Sequence, residues 1–141
     1  MDVAWALACR FAEVTPDGTA TLVGAGLDSV WVPEVPADVG IFLMMRIAGA
    51  SYEFQEAHTI AVKLIDPERE EQEVLTAGFG PVDELPPQYH PALDPGILIP
   101  AGIGWHAEHF GLYTLDVLVD DRQRRSIPIL VRDAAELQQP G

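Results

Sequence analysis

The sequence contains very little cysteine and serine. Cys9 is the only cysteine in 141 residues, so the chain can form no internal disulfide and has no Cys-x-x-Cys zinc or redox motif. None of its three serines lies in the Gly-x-Ser-x-Gly motif that presents the nucleophile of many serine hydrolases. We assign no catalytic and no cofactor-binding residue from the sequence, and we expect a protein that is not an enzyme and has no cofactor.

Positive charge is scarce as well. Lys and Arg total 8 against 22 Asp and Glu, giving a net charge of −14. Such a surface repels nucleic-acid phosphates and anionic membranes, so we expect no nucleic-acid and no membrane partner. No run reaches the roughly 18–20 apolar residues that span a bilayer. The apolar segment 3–9 lacks the basic start of a secretion signal, so the expected location is cytoplasmic.

Hydrophobic residues, by contrast, are abundant. They make up 48% of the chain, against 21% charged residues, which is enough for a real core. The length suits one domain, which we place at residues 1–132. The tail, residues 133–141, is polar or small, and we expect it to fray.

Alternation with a period of two dominates the sequence. Bulky residues at positions 3, 5, 7, 9 and 11 alternate with alanine or Arg10, which favours a strand over a helix capped by Asp2. Thr15-Pro16-Asp17-Gly18 predicts a hairpin turn after it. Similar patterns predict strands at 19–23, 29–32, 41–47, 58–65, 72–79, 113–119 and 127–131.

Short strands separated by turn signals predict the architecture. We count eight or nine of them and no helix of three turns, which indicates an all-β fold, an immunoglobulin-like two-sheet sandwich. Gly111-Leu112-Tyr113 at a strand start is typical of the tyrosine corner of such sandwiches.

The order of several segments resembles a known family. They are Phe11-Ala12-Glu13-Val14, Leu22-Val23-Gly24-Ala25-Gly26, Arg46-Ile47, Glu56-Ala57-His58, Val62-Lys63-Leu64-Ile65-Asp66, Gly111-Leu112-Tyr113 and Ile129-Leu130-Val131. In this order they are similar to small bacterial proteins catalogued only as a domain of unknown function. The resemblance implies a β-sandwich and supplies no activity, cofactor or site residue. The chain departs from it at residues 66–71, where Pro67 and glutamates replace an expected glycine.

A proline-rich segment provides the candidate contact surface. Residues 80–95 contain five prolines and fit no regular element, and long loops in compact domains are often functional. We predict that Tyr89 and His90, together with Trp105, contact a protein partner. The small face formed by Ala4, Ala6 and Ala8 would let another layer approach closely. We therefore expect a non-enzymatic interaction or structural module that forms a homo-oligomer, partly through edge strands.

The alternative is a small metal-binding protein or a metal-dependent enzyme. His106 and His109 are three residues apart, a spacing that puts both imidazoles on one side of a helical turn, where both could bind one zinc ion. His90 or Glu108 could supply a third ligand. On a strand the same spacing would put the two histidines on opposite faces, and in a loop they would be ordinary surface residues.

Overall fold

The computed structural model of the chain describes residues 1–82 and 92–138. Its ten strands are β1 (Asp2–Cys9), β2 (Phe11–Val14), β3 (Ala20–Val23), β4 (Ser29–Val32), β5 (Ala37–Ala48), β6 (His58–Ile65), β7 (Glu71–Phe79), β8 (Gly96–Ala107), β9 (Gly111–Val119) and β10 (Arg122–Asp133). Two 3-10 helices, Ser51–Gln55 and Ala134–Gln138, complete the secondary structure of the described chain. The prediction of an all-β fold is confirmed.

The strands form three sheets. A three-stranded sheet has the order β1-β5-β8, a five-stranded sheet has the order β4-β10-β9-β6-β7, and β2 and β3 form a separate hairpin. The pairing of β4 with β10 is parallel, and the other pairings are antiparallel. The apolar run at 41–47 lies in β5, between two neighbours, as expected of a central strand.

The structure has ten strands in three sheets, more than the eight or nine strands in two sheets that the sequence predicts. The predicted first strand, 3–11, is divided at Arg10, because the chain turns there and Phe11 begins the hairpin. β8 was not predicted, since its four residues Gly96, Pro100, Gly102 and Gly104 are poor strand formers. These two differences account for the ten strands and for the third sheet.

The two larger sheets share the main core. From the five-stranded sheet come the alternate residues Ile60, Val62, Leu64, Leu115, Val117 and Val119, each at most 3% exposed. From β5 come Ile41, Leu43, Met45 and Ile47, within the same range. Burying one such side chain contributes roughly 1.5–3 kcal/mol, so these rows hold the two sheets together.

A bulge in β1 decides which of its side chains enter that core. The register shifts between Val3 and Trp5, so Val3 and Ala8 both lie in the main core although their spacing is odd. Ala6 packs against the same core, and only Ala4 of the alanine face is exposed. The layer that approaches this small face is therefore the protein's own second sheet, which corrects the expectation that the face is available to a partner.

Candidate functional site

The bulky face of β1 begins a second, outer apolar layer. Trp5 and Cys9 point away from the main core and pack with Met44 of β5, which is fully buried on the same outer face of the sheet. Cys9 has no exposed area; burial raises the pKa of its thiol, while its bond with the backbone at Phe11 acts in the opposite direction. The outer face of the three-stranded sheet is thus partly covered.

The β2–β3 hairpin forms that cover. Its Ala12 is 5% exposed and packs on Cys9 and Met44, with Ala20 and Leu22 beside it. At its turn, the Asp17 carboxylate accepts hydrogen bonds from the Thr19 N–H and from both threonine hydroxyls, Thr15 and Thr19. These bonds lower the pKa of Asp17, with the Thr15 hydroxyl as the main cause. Gly18, with φ +81°, completes the predicted turn.

The opposite face of the hairpin carries an apolar pair that is open to solvent, followed by the exposed pair Glu13 and Thr21. Phe11 and Val23 stand directly opposite each other in the ladder and are 45% and 53% exposed. The Phe11 ring meets Phe42 of β5 edge to face, with centroids 5.4 Å apart. We call these three residues the hairpin patch. Leu7 of β1 and Val14 of β2 are also 40% exposed, so this layer displays much of the apolar surface of the described chain.

Next to Phe42, the outer face of the three-stranded sheet is formed by glycines and carries no side chains. Gly40 pairs with Gly104, Phe42 pairs with Gly102, and all three glycines are exposed. A methyl group added at any of them would meet no atom closer than 3.6 Å, so packing inside the protein does not require glycine. The bare face ends at Asp38, whose carboxylate lies 3.0 Å from His106 Nδ1.

An acidic cleft of about 320 Å³ lies between the β6–β7 turn and the β8–β9 turn. His106 and His109 both line it, together with the carboxylates Asp66, Glu70, Glu71 and Glu108. His106 lies near the end of β8 rather than in a helical turn, and His109 lies in the following turn with Nε2 3.4 Å from Glu68 Oε1. The spacing that suggested a helix therefore brings both histidines to one cleft by a strand and a turn.

This cleft is not pre-formed for metal. Across residues 1–82 and 92–138, no group of three or more His, Cys, Asp or Glu side chains is arranged to hold a metal ion. Each histidine already pairs with a carboxylate that does not line the cleft, His106 with Asp38 and His109 with Glu68. The third candidate ligand, His90, lies outside the described residues.

The predicted contact residues have different outcomes. Trp105 is 5% exposed, faces inward from β8 and packs on Tyr113 with ring centroids 5.8 Å apart, so it is a core residue and not a contact for a partner. Its position in an alternating strand, which went unpredicted, explains the error. Tyr89 and His90 lie outside the described residues, and their role stays a prediction.

A buried histidine was missed. His58 at the start of β6 is 8% exposed and contacts Asp120 of the β9–β10 turn. The alternation that puts Ile60, Val62 and Leu64 on one face also places His58 on it, two residues before Ile60. The signal was therefore present, because a histidine on the buried face of a strand needs a polar partner.

These observations define a class of protein. It is an all-β protein of stacked sheets, with an apolar outer layer at one place and an acidic cleft at another. No helix in the described part of the chain is both long and apolar enough to cross a membrane.

The chain belongs to a family of unknown function, DUF6941, whose model matches residues 4–132. No curated protein matches it. Among solved structures, it is similar to the Pseudomonas fluorescens alkylpurine DNA glycosylase AlkC bound to DNA containing an abasic site analog, at 10% identity and a TM-score of 0.41. The match covers 90% of this chain and 30% of that one.

Proposed function

We propose that residues 1–132 form one immunoglobulin-like sandwich domain that acts as a non-enzymatic protein-interaction module and associates with a second copy of itself. The Tyr113 hydroxyl donates a hydrogen bond of 2.8 Å to the His109 carbonyl, four residues upstream, as the tyrosine of an immunoglobulin-like corner does. Burial raises the pKa of Tyr113, while the His109 carbonyl acts in the opposite direction. This bond supports the finer fold assignment.

The hairpin patch is the observation that carries the proposal. The hairpin patch exposes apolar surface on Phe11, Val23 and Phe42. Next to it, Gly40, Gly102 and Gly104 extend this surface without side chains. Glycine in a strand often marks a place where another backbone comes close. Exposed apolar patches mark protein interfaces, where aromatic side chains, phenylalanine among them, are enriched.

Charge favours a second copy as the occupant. Two chains of net charge −14 repel each other over most of their surfaces, so they can approach only through a face with little charge. The patch residues and the adjacent glycines are uncharged, and the charged residues closest to Phe11 in the sequence, Arg10 and Glu13, have opposite signs. A basic partner would instead find complementary charge at the acidic cleft, with its four carboxylates.

The test is the oligomeric state. We expect sedimentation velocity to give a dimer, twice the 15.3 kDa chain mass, within a range of about 1 µM to 1 mM. The double variant Phe11→Ser, Val23→Thr should have a dimer dissociation constant roughly tenfold higher or more, because losing two interface side chains costs more than about 1.4 kcal/mol of binding free energy.

Leu112→Ser provides the matched control. Leu112 is 53% exposed like Val23 but lies on β9 of the other sheet, so its removal should leave association unchanged. A wild-type chain that stays at 15.3 kDa throughout would contradict self-association. A dimer that responds to Leu112→Ser but not to the double variant would place the contact elsewhere.

A second candidate, metal binding, is favoured by one observation: His106 and His109 line the same cleft as four carboxylates. Exposed side chains of the cleft would have to rotate to bring three ligands together. Titration calorimetry with zinc should then give one site, lost in the variant His106→Ala, His109→Ala. If the wild-type chain takes up no zinc, this candidate fails while the interaction module stands.

We further propose a cytoplasmic location. The support is compositional: a chain with one cysteine gains nothing from an oxidising compartment. Fractionation of cells that produce the chain tests this, and recovery in a secreted or membrane fraction would contradict it.

A further inference from the structure

His58 occupies a setting unlike that of any other polar side chain of the described chain. It is the only buried polar or charged residue among positions 1–82 and 92–137. One face of its ring stacks on Phe79 of β7, with centroids 5.2 Å apart. A buried imidazole loses its contact with water, so each ring nitrogen needs a partner within the protein.

Both ring nitrogens face hydrogen-bond acceptors. Nδ1 lies 2.6 Å from Asp120 Oδ2, and Nε2 lies 2.5 Å from the carbonyl oxygen of Glu53. A neutral imidazole carries one N–H and could donate to only one of them. Two donors are present only in the imidazolium, so with Asp120 ionised both bonds form together only when the ring is positively charged.

The two acceptors are held in place by their own contacts. Asp120 Oδ1 accepts from the Thr59 N–H at 3.0 Å, and the Asp120 N–H donates to the Thr59 carbonyl at the same distance. Glu53 is the third residue of the 3-10 helix, and its carboxylate accepts from the Ala50 N–H at 2.9 Å and from the amino group of Met1. The ring thus joins two segments that are fixed independently of it.

The surrounding charges favour the imidazolium. Asp120 and the Glu53 carboxylate face His58 with negative charge, and the Met1 amino group opposes them. Burial alone would lower the pKa of His58, but the Glu53 carbonyl and Asp120 outweigh it, so the pKa is raised from its ordinary value. Burial would raise the pKa of Asp120, but the bonds from His58 and the Thr59 N–H outweigh it and lower that pKa.

We infer that His58 is a proton-dependent clamp that ties the 3-10 helix Ser51–Gln55 to the β9–β10 turn. When the ring loses its proton, its one remaining N–H donates to the Asp120 carboxylate, because an ionised acceptor forms the stronger hydrogen bond. The Glu53 carbonyl then loses its bond to the ring and keeps only the Glu56 N–H, at 3.3 Å. That helix carries Phe54, which is 1% exposed and whose carbonyl accepts from the Val82 N–H at 2.7 Å. Deprotonation therefore loosens the helix and the contact with Val82.

The sign of the pH dependence follows from the raised pKa. The charged ring stabilises the folded state fully below 6.5, the ordinary value, and this stabilisation is lost as pH rises through the higher pKa of the folded state. Asp120 contributes in the opposite sense, at the acid end, since its lowered pKa makes stability fall when it is protonated. The clamp is therefore closed between these two transitions.

The first test is an NMR titration of the His58 ring in the full chain. We expect a pKa above 6.5 in the wild type. Asp120→Asn should lower it by roughly one to three pH units, because the opposing charge is removed and the new amide can donate to an unprotonated Nδ1. Asp121→Asn is the matched control, since Asp121 is the next residue and also has positive φ, at 64°.

Hydrogen exchange adds a readout of the clamp itself. The amides of Glu56 and Val82, which bond to Glu53 and Phe54, should exchange faster as pH passes the His58 pKa, beyond the ordinary base-catalysed increase. In Asp120→Asn this extra increase should occur at lower pH. A His58 pKa at or below 6.5 in the wild type, or no effect of Asp120→Asn on that pKa, would overturn the inference.

Discussion

The two faces of the β1-β5-β8 sheet are built from the same alternating strands but end in different environments. The inner face meets the five-stranded sheet, and its residues Leu43 and Ile47 have no exposed area. The outer face is covered only over Cys9 and Met44, by a two-stranded hairpin, and leaves Phe42 half-exposed. The difference shows that alternation predicts which residues share a face, while the size of the covering layer decides whether that face is core or surface.

Truncating side chains on each face should separate the two roles. Leu43→Ala leaves a cavity in the main core and should lower the free energy of unfolding by about 2–5 kcal/mol. Phe42→Ala on the outer face should cost clearly less, since its ring is already partly in water. Both free energies of unfolding are measured by urea denaturation at a single protein concentration, low enough that the chain is monomeric.

If the Leu43→Ala variant is too unstable to measure, Ile47→Val is a milder substitution that tests the same face. It removes one methyl group from the same inner face, where Ile47 is 0% exposed, and should cost about 0.5–1.5 kcal/mol. Equal losses for Leu43→Ala and Phe42→Ala would mean that the outer face is as much a core as the inner one, and the comparison would fail.

Much of this arrangement could be predicted from the sequence, for reasons that particular residues make plain. Ile60, Val62 and Leu64 alternate without glycine or proline, so both the strand and its buried face were predictable. In β8, by contrast, Gly102, Gly104 and Pro100 remove the usual strand signal. The strand forms there because pairing with β5 supplies its hydrogen bonds, and such long-range pairing is not visible in local sequence.

The candidate sites were less predictable than the fold. His106 and His109 attracted attention by their spacing, yet they reach one cleft only because a turn follows β8. The exposure of Phe11 depends on the chain turning at Arg10, which an uninterrupted alternation did not show. Sequence gives the face of a residue relative to its strand neighbours, whereas a surface site depends on where the strand ends.

Separating the β2–β3 hairpin from the outer face of the three-stranded sheet should produce the second-largest effect. Ala12→Glu places a carboxylate where Ala12 is 5% exposed, so the hairpin should separate from the outer face while the main core persists. Cys9, now covered, would become accessible, and we expect its reaction with a thiol reagent to accelerate by on the order of tenfold or more. The same variant should also lose the proposed dimer.

Glu13→Ala is the control for that experiment. Glu13 is the next residue along β2 and is exposed, so its truncation should leave Cys9 as slow to react as in the wild type. A folded Ala12→Glu variant in which Cys9 stays unreactive would show that the hairpin is not what covers the outer face.

The smallest predicted effect concerns the bare glycines. Gly102→Ala should raise the free energy of unfolding of the monomer by up to about 0.5–1 kcal/mol, because strand glycine is entropically costly and the nearest atom to the added methyl group, Phe42 Cε1, is 3.9 Å away. Gly80→Ala should do the opposite, since Gly80 has φ +74° and its Cβ would lie 2.8 Å from the Glu56 carbonyl oxygen. Urea unfolding and sedimentation on the same samples distinguish two explanations for this glycine. A Gly102→Ala chain that is more stable but dimerises less would show that the partner chain packs against Gly102. Stronger or unchanged dimerisation would mean that Gly102 is not in the contact and that the proposed interface is confined to the hairpin patch.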